Sequence, residues 1–356
     1  MARTNTNLHV ARNTKNDEFY TQYEDIAKEL KHYKEFFKGK VVLCNCDDPL
    51  ESNFTKYFIL NFHHLGLKKL ICTFYDVNGG RAFAFEYEGE DMNDDGVINE
   101  QDIEIIRQSG ACRTILVDDE GFNSEDKEKC WEEGIYGSGD FRSKNVIEYL
   151  KEADVVVTNP PFSLFREYVK QLMDYGKKFI IIGNGNAVTY KDFFPYIKEN
   201  KIWLGVTLFT GVMPFFKVPN DYPIENERYE RRADGLYKQV NSVCWFTNVP
   251  HSKRNTPLTL YKEYNEENYP KYDNYDAIEV SRVENIPMDY DGVMGVPITF
   301  LAKYCPSQFE IVWTSDRGGD GKIENLKIPN QSRYDAPTIS GVGTYKRIFI
   351  KKKLSS

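Results

Sequence analysis

Short runs of apolar residues recur along the chain, and polar turns separate them. The runs that are rich in β-branched and aromatic residues predict strands, at 40–46, 69–76, 153–158, 178–182 and 242–248. Helical stretches are predicted between several of these runs, at 23–33, 53–65, 143–151 and 164–175. Strands that alternate with helices in this way predict an α/β sheet, in which 153–158 is buried on both faces.

The length of the chain, 356 residues, predicts one large domain and one smaller domain. No apolar run approaches the roughly 20 residues of a membrane span. Residues 1–16 lack the apolar segment of a signal peptide. The seven cysteines form no CxxC pair and indicate reduced core residues, so we expect a soluble, cytoplasmic protein.

The formal net charge of −8 is unevenly distributed. Residues 86–133 hold 17 acidic and 4 basic residues, a net charge of −13, which leaves +5 for the rest of the chain. One acidic stretch therefore conceals a mildly basic protein, and a nucleic-acid partner stays compatible with the composition.

The tetrapeptide Asn159-Pro160-Pro161-Phe162 directly follows the apolar run at 153–158. Proline lacks the N–H that a strand needs, so the tetrapeptide ends the strand at the edge where α/β sheets bind ligands. The carbonyls of Asn159 and Pro160 can accept hydrogen bonds from one exocyclic NH₂, and Phe162 can stack on the attached ring. The predicted substrate is an amine on a planar heterocycle; the alternative is a plain turn with an exposed phenylalanine.

This tetrapeptide matches the [DN]PP[YF] hallmark of the adenine-N6 DNA methyltransferases. A second segment, Asn45-Cys46-Asp47-Asp48-Pro49-Leu50-Glu51-Ser52-Asn53-Phe54, is similar to the Asn-x-Asp-Asp-Pro-x-x-Ser-x-Phe variant of the EcoRI-type modification methylases. The chain thus resembles the EcoRI-type family of adenine-specific DNA methyltransferases over roughly residues 12–350, with the acidic stretch as an interruption.

The resemblance implies an α/β fold with a Rossmann-like sheet that serves S-adenosylmethionine-dependent methyl transfer. The expected domains are a flexible arm at 1–14, a catalytic domain at 15–250 with an insertion at 77–135, and a smaller DNA-recognition region at 251–356. The implied reaction moves a methyl group from S-adenosylmethionine to the N6 amine of a flipped adenine in double-stranded DNA, without a covalent enzyme intermediate. The expected enzyme is a monomer or weak dimer with no membrane partner, and a cognate restriction endonuclease is a candidate partner.

The resemblance also assigns the cofactor site. The segment at 17–22 is similar to the D-x-F-Y-T-P segment that lines the methionine end of the cofactor, except that Gln22 replaces proline. Either Asp47 or Asp48 would meet the cofactor's amino group, while Asp76 would accept from the ribose and Asp140 from the adenine. The cofactor-binding set is Phe19, Tyr20, Thr21, Asn45, Asp47, Asp48, Pro49, Asp76, Asp140 and Phe141, and the catalytic set is Asn159, Pro160, Pro161 and Phe162.

The acidic stretch contains a twelve-residue segment, 91–102, with the donor spacing of a calcium loop and glycine at the sixth position. The expected ion is structural, and the alternative is an acidic turn without an ion. Before the segment, Phe83, Phe85 and Tyr87 alternate as in a strand. The predicted calcium ligands are Asp91, Asn93, Asp95, the carbonyl of Val97, Asn99 and Asp102.

The tail at 321–356 holds 8 basic and 2 acidic residues. Basic residues between aromatic ones suit a nucleic-acid surface, although a solvated strand edge protected by lysines has the same pattern. The predicted phosphate contacts are Lys346, Arg347, Lys351, Lys352 and Lys353.

Two other functions compete with DNA methylation. One is methyl transfer to an RNA base or a protein glutamine, because Asn-Pro-Pro motifs also serve those substrates. The other is a non-catalytic, calcium-dependent interaction module, which would leave the Asn159 tetrapeptide and the cofactor segments unexplained.

Overall fold

A computed structural model of the chain describes residues 21–46, 48–74, 82–208, 215–218, 229–240, 242–315, 321–323 and 336–353. The chain forms two compact units. The first unit comprises Met1–Asn184 and Thr207–Val249, and the second comprises Gly185–Val206 and Pro250–Ser356. Among the described residues, no helix combines the length and the apolar composition that crossing a membrane requires.

An eight-stranded mixed sheet makes up most of the first unit, in the spatial order β4-β3-β2-β1-β5-β6-β11-β7, and the first four residues of β7 belong to the second unit. Its strands are β1 Val41–Cys44, β2 Lys69–Thr73, β3 Phe83–Tyr87, β4 Arg113–Ile115, β5 Val155–Thr158, β6 Lys178–Asn184, β7 Trp203–Leu208 and β11 Val243–Thr247. The chain passes from the second unit back to the first within β7, between Val206 and Thr207. The expectation of a large α/β sheet is confirmed.

The centre of the sheet is parallel and its flanks are antiparallel. Strand β1 pairs in parallel with β2 and β5, and β5 pairs in parallel with β6. Strand β11 runs antiparallel to β6, and β3 runs antiparallel to both β2 and β4. The predicted strand at Phe83–Tyr87 is confirmed, and the segment at 77–135, which was expected to be an insertion, adds two strands to the main sheet.

The helices of the first unit pack around this sheet, and serine caps one of them. The predicted cap at Ser52 is present, because its Oγ accepts the N–H of Phe54 at 3.2 Å. The helices are α1 Tyr23–Leu30, α2 Lys34–Phe37, α3 Asn53–Leu60, α4 Phe62–Leu65, α5 Glu100–Ser109, α6 Lys127–Glu132, α7 Lys144–Glu152 and α8 Phe165–Asp174. A three-stranded sheet of β8 Phe215–Val218, β9 Tyr229–Arg232 and β10 Gly235–Gln239 completes this unit.

The register of β1 against β5 decides where the polar motifs meet. Val42 pairs with Val155 and Leu43 with Val156, so the two strands end side by side. Both strands are buried along their whole length, which explains their β-branched and aliphatic sequences. The residues after Cys44 and after Thr158 therefore emerge at one edge of the sheet, where open α/β sheets place ligands.

The second unit is built on a four-stranded sheet in the order β12-β13-β17-β14. The aromatic rings of Tyr272, Tyr275 and Phe349 form one buried cluster of its core. The unit includes residues 185–206, which the sequence assigned to the catalytic domain. Its elements are α9 Phe194–Lys198, β12 Ile278–Glu279, β13 Met294–Pro297, β14 Phe309–Thr314, β15 Thr338–Ile339, β16 Val342–Gly343 and β17 Arg347–Lys352.

Candidate active site

The tetrapeptide Asn159-Pro160-Pro161-Phe162 leaves β5 at the edge described above. Asn159 is 6% exposed and Pro160 is buried, whereas Pro161 and Phe162 are half-buried. The carbonyl of Pro161 accepts the N–H of Leu164 at 3.0 Å, and this turn leads into α8. The end of β5 thus places the buried Asn159 amide and the partly accessible Phe162 ring close together in the chain.

Thr21 joins this tetrapeptide to the loop that follows β1. The Asn159 Nδ2 donates to the Thr21 Oγ1 at 3.4 Å, and the Asn53 Nδ2 donates to the Thr21 main-chain oxygen at 2.7 Å. Thr21 is 2% exposed. Three predicted site segments, which are distant in sequence, therefore meet at one threonine.

Asn45 is held at the end of β1 by a residue from α8. The Tyr168 hydroxyl donates to the Asn45 Oδ1, and the Cys46 Sγ lies 3.8 Å from the same oxygen. Burial raises the pKa of Tyr168 well above its ordinary value, so its proton stays on the oxygen. Within the described part of the chain, the Asn45 Nδ2 is buried and lacks a hydrogen-bond partner. The amide therefore presents one fixed, unused donor.

Asp140 is 5% exposed, and its carboxylate is engaged by Arg142. The Arg142 Nε donates to Oδ1 at 2.9 Å and Nη2 donates to Oδ2 at 2.8 Å, while Nη1 reaches Glu167 on α8 at 3.0 Å. Burial favours a lower pKa for the Arg142 guanidinium, but the bonds to Asp140 and Glu167 raise that pKa above its ordinary value. Asp140 thus holds a buried cation, which sequence reasoning did not predict.

Phe141 packs against the same helix that holds Asn45. Its ring meets the Tyr168 ring edge-on, with centroids 5.0 Å apart, and its carbonyl accepts the Gln171 Nε2 at 3.1 Å. Helix α8 therefore positions two predicted cofactor residues through Tyr168 and Gln171. The apolar periodicity of α8 predicts only packing, so the sequence gives no local signal for these two roles.

Gly139 lies against the end of β2. Its φ is +81°, and a Cβ added there would lie 1.8 Å from the carbonyl oxygen of Phe74. Only glycine fits this close approach of two backbones. The residue before Asp140 is thereby fixed next to the strand that precedes Asp76.

Asp48 and Pro49 form the turn after β1. The Asp48 Oδ1 accepts the N–H of Leu50 at 2.9 Å, and its main-chain oxygen accepts the N–H of Ser52 at 2.8 Å. Asp48 thereby shapes the start of α3. Four predicted cofactor residues lie outside the described residues, namely Phe19, Tyr20, Asp47 and Asp76.

The calcium prediction for the loop at 91–102 is not supported. Among the residues that the structure describes, no three His, Cys, Asp or Glu side chains form a group that could hold a metal ion. Asp102 is 0% exposed and caps α5, because its Oδ1 accepts the Met92 N–H at 2.8 Å and its Oδ2 accepts the Asn99 N–H at 2.7 Å. Asp102 thus belongs to the capping box at the start of α5 and holds the loop to the helix without any ion.

The other predicted ligands in this loop also accept hydrogen bonds from the loop itself. Asp91 accepts from the Gly96 N–H at 2.5 Å, and Gly96 adopts the predicted turn with a φ of +87°. Hydrogen bonds within the loop thus shape this turn without an ion. The residues that accept these bonds are the predicted ligands Asp91, Asn93, Asp95, Val97, Asn99 and Asp102.

Arg347, the second of the five basic residues predicted to contact phosphate, is buried and not accessible as expected. Arg347 is 8% exposed, and its guanidinium forms a pair of hydrogen bonds with Glu279, with Nε at 3.0 Å from Oε2 and Nη2 at 2.6 Å from Oε1. Its Nη1 donates to the carbonyls of Tyr345 and Lys346. Arg347 therefore forms a buried ion pair within the fold, and its prediction as a phosphate contact is not supported by this geometry.

The lysines of the tail are not equivalent. Lys346 and Lys352 are half-buried, and the Lys352 Nζ donates to the Met288 carbonyl. Only Lys351 and Lys353 are exposed among the five predicted contacts. Strand β17 lies between β13 and β14, so it is an inner strand and not the solvated edge that the pattern also suggested.

Comparison with known proteins gives consistent matches over nearly the whole chain. A family model described as "Adenine-specific methyltransferase EcoRI" matches residues 7–353. The type II methyltransferase M.EcoRI of Escherichia coli is 46% identical over 360 residues, which cover 99% of each chain. M.MpnI of Mycoplasma pneumoniae is 34% identical, over 96% of this chain and 97% of its own. M.MgeORF184P of Mycoplasma genitalium is also 34% identical, over 96% and 98%. No solved structure is significantly similar.

Proposed function

Because this chain belongs to the EcoRI family of adenine-specific methyltransferases, we propose that it methylates the N6 amine of a flipped adenine in double-stranded DNA. Membership makes the chain a DNA methyltransferase, and S-adenosylmethionine is the methyl donor that this class uses. We place the reaction at the edge of a Rossmann-like sheet where β1 and β5 end, and assign target recognition to residues 251–356. The enzyme would work in the cytoplasm.

The observation that carries this proposal is the setting of Asn159. Its amide nitrogen donates to Thr21, so the amide oxygen points away from Thr21. That oxygen and the carbonyl of Pro160 can accept the two hydrogens of an exocyclic amine. Two such hydrogen bonds would fix the orientation of the amine and its ring. The nitrogen lone pair would then face the side of the site where the methyl donor binds. Positioning then supplies most of the catalysis.

Phe162 suits the role of a stacking platform for the extruded base. Its ring is half-buried and follows the two prolines, which stiffen the backbone before it. Stacking of a base on an aromatic ring is worth about 1–3 kcal/mol, which offsets part of the cost of unstacking the base from the duplex. Phe162 would therefore hold the base while Asn159 and Pro160 hold its amine.

The residues after β1 fit a polar cofactor. The buried Asn45 Nδ2 lacks a partner among the described residues, and a buried donor left unpaired costs about 1–3 kcal/mol. A carboxylate or hydroxyl group of S-adenosylmethionine would satisfy this donor. When bound, the cofactor supplies the electrophilic methyl group; the protein's own task is to orient Asn45, Phe141 and Asn159 toward one volume.

The test is methyl transfer from labelled S-adenosylmethionine to duplex DNA, RNA and protein substrates, with the wild type and Asn159→Ala. We expect transfer to duplex DNA by the wild type only, and nearly unchanged cofactor binding by the variant in calorimetry. Asn145→Ala is the control, since Asn145 is half-buried on α7 and its Nδ2 donates to the Val117 carbonyl at 2.8 Å. Near-normal turnover by Asn159→Ala, or transfer to RNA or protein but not DNA, would overturn the proposal.

A further inference from the structure

A basic turn begins the second chain segment of the second unit. From Pro250 to Lys262 the sequence contains His251, Lys253, Arg254 and Lys262 and no acidic residue. Residues Ser252–Asn255 form a single 3-10 turn. The sequence predictions did not include this stretch among the DNA contacts, which were placed in the tail.

The turn is fastened to carbonyl groups of β7. The Lys253 Nζ donates to the Val206 oxygen at 2.7 Å, and the His251 Nε2 lies 3.0 Å from the Leu204 oxygen. Within the turn, the Arg254 N–H donates to the His251 carbonyl at 3.3 Å. These bonds hold the backbone of Arg254 in one place, which reduces the freedom that the turn would lose when a ligand binds.

The Arg254 guanidinium lies on an aromatic platform. Its central carbon is 3.8 Å from the centroid of the Trp203 ring, and its Nη2 donates to the Asn200 Oδ1 at 3.0 Å. The side chain is half-buried. Stacking on Trp203 fixes the plane of the guanidinium and leaves N–H groups along its outer edge.

The half-buried Arg254 differs from two buried arginines of the chain in the carboxylates that surround it. Arg142 and Arg347 each pair with a buried carboxylate, at 2.8 and 2.6 Å. Across the described residues, Arg254 has no carboxylate partner within ion-pair distance. Burial lowers the pKa of Arg254 to about 10, only partly offset by Tyr304 and Cys305. A partly desolvated cation without an anion favours binding of one from outside the chain.

We propose that Arg254, stacked on Trp203, binds a backbone phosphate of the substrate duplex. This inference rests on the proposed function for the identity of the partner, and on the geometry of the second unit for the site. A guanidinium edge matches two phosphate oxygens, whereas an ammonium does not. The contact is independent of sequence, so its contribution is to affinity and orientation on the DNA and not to the choice of the target site.

The test compares Arg254→Gln with the wild type in fluorescence anisotropy, with a target duplex and a scrambled duplex between 50 and 200 mM salt. Losing one phosphate contact removes about 0.9 from the slope of log Kd against log salt, so the ratio of Kd at the two salt concentrations falls about 3.5-fold. We expect weaker binding by a similar factor on both duplexes. Arg282→Gln is the control, because Arg282 is exposed and lies 4.0 Å from Glu284.

Two results would overturn the phosphate contact. An unchanged salt slope places Arg254 away from the DNA, and a loss confined to the target duplex makes Arg254 a reader of bases. If Arg254→Gln does not fold, Arg254→Lys is tested in its place. Lysine keeps the positive charge but loses the two-pronged guanidinium edge. We therefore expect weaker binding to both duplexes with an unchanged slope of log Kd against log salt. Calorimetric cofactor binding by the same variants is expected to match the wild type. The two proposals can fail separately. If the salt slope depends on Arg254 but the protein methylates no DNA, the proposed function is wrong and the phosphate contact is retained.

Discussion

The Nδ2 atom of Asn159 and the Oγ1 atom of Thr21 lie 3.4 Å apart, although 138 residues separate them in the chain. The bond joins the end of β5 to the segment that precedes the first helix. Because the main-chain oxygen of Thr21 also accepts from Asn53, one residue ties the amide that would hold the substrate to the loop that would hold the cofactor.

Thr21→Val should lower the turnover number and leave cofactor affinity almost unchanged. The variant removes the hydroxyl that orients Asn159 but keeps the main-chain carbonyl that binds Asn53. A net hydrogen bond of about 0.5–1.5 kcal/mol corresponds to a loss of about 2- to 10-fold in the rate. Single-turnover kinetics and calorimetry measure the two quantities. Thr21→Ser restores the hydroxyl and should restore the rate; a slow Ser variant would show that the methyl group matters instead.

Tyr168→Phe should weaken cofactor binding and lower the free energy of unfolding by about 1–3 kcal/mol, because the buried Asn45 Oδ1 loses its O–H donor. Cofactor titration and urea unfolding measure the two effects. Tyr149→Phe is a matched control, since the Tyr149 hydroxyl contacts Glu86 at 3.2 Å away from the site. If Tyr168→Phe lost stability but bound the cofactor normally, Tyr168 would be a packing residue alone.

Gly139→Ala should destabilise the protein strongly, because its Cβ would overlap the Phe74 carbonyl oxygen. Gly134→Ala shares the positive φ, +75°, but its Cβ would meet no atom of the described residues within 4 Å. The control should therefore lose only the cost of backbone strain, about 1 kcal/mol. Thermal unfolding of both variants separates strain from collision. Equal melting temperatures would mean that β2 moves aside easily.

Calcium should not raise the melting temperature, because no three His, Cys, Asp or Glu side chains among the described residues form a group that could hold a metal ion. Asp102→Ala should cost about 0.5–2 kcal/mol of stability through loss of the helix cap, in the presence or absence of chelator. Calorimetric titration of chelator-stripped protein is the direct measurement. Saturable heat at millimolar calcium would restore the ion that the spacing of the loop suggested.

The sequence predicted those parts of the fold that depend on local pattern. Apolar runs located β1, β5 and β6, and the alternation of Phe83, Phe85 and Tyr87 located β3. The motif Asn159-Pro160-Pro161-Phe162 located the edge of the sheet where the polar residues meet. Each of these signals lies within one element, so a single chain is enough to see it.

Long-range pairing was the part that the sequence could not supply. Arg347 looks like a member of a basic tail until Glu279, 68 residues earlier, is placed beside it. Asp102 looks like a calcium ligand until its carboxylate is seen to cap α5. Tyr168 looks like one more aromatic on a packing face, since its hydroxyl partner Asn45 lies 123 residues away. Periodicity carries no information on such partners.

The division of the chain into Met1–Asn184 with Thr207–Val249, and Gly185–Val206 with Pro250–Ser356, restricts how the units can be exchanged between relatives. Neither unit is a continuous stretch, so no single cut yields either one as a fragment. A chimera that takes only residues 250–356 from a relative would keep residues 185–206 of this chain. Its second unit would then combine segments of two different proteins. Exchanging the second unit between relatives therefore requires the replacement of two segments, with three junctions, and a nascent chain cannot complete the first unit until Val249 has left the ribosome.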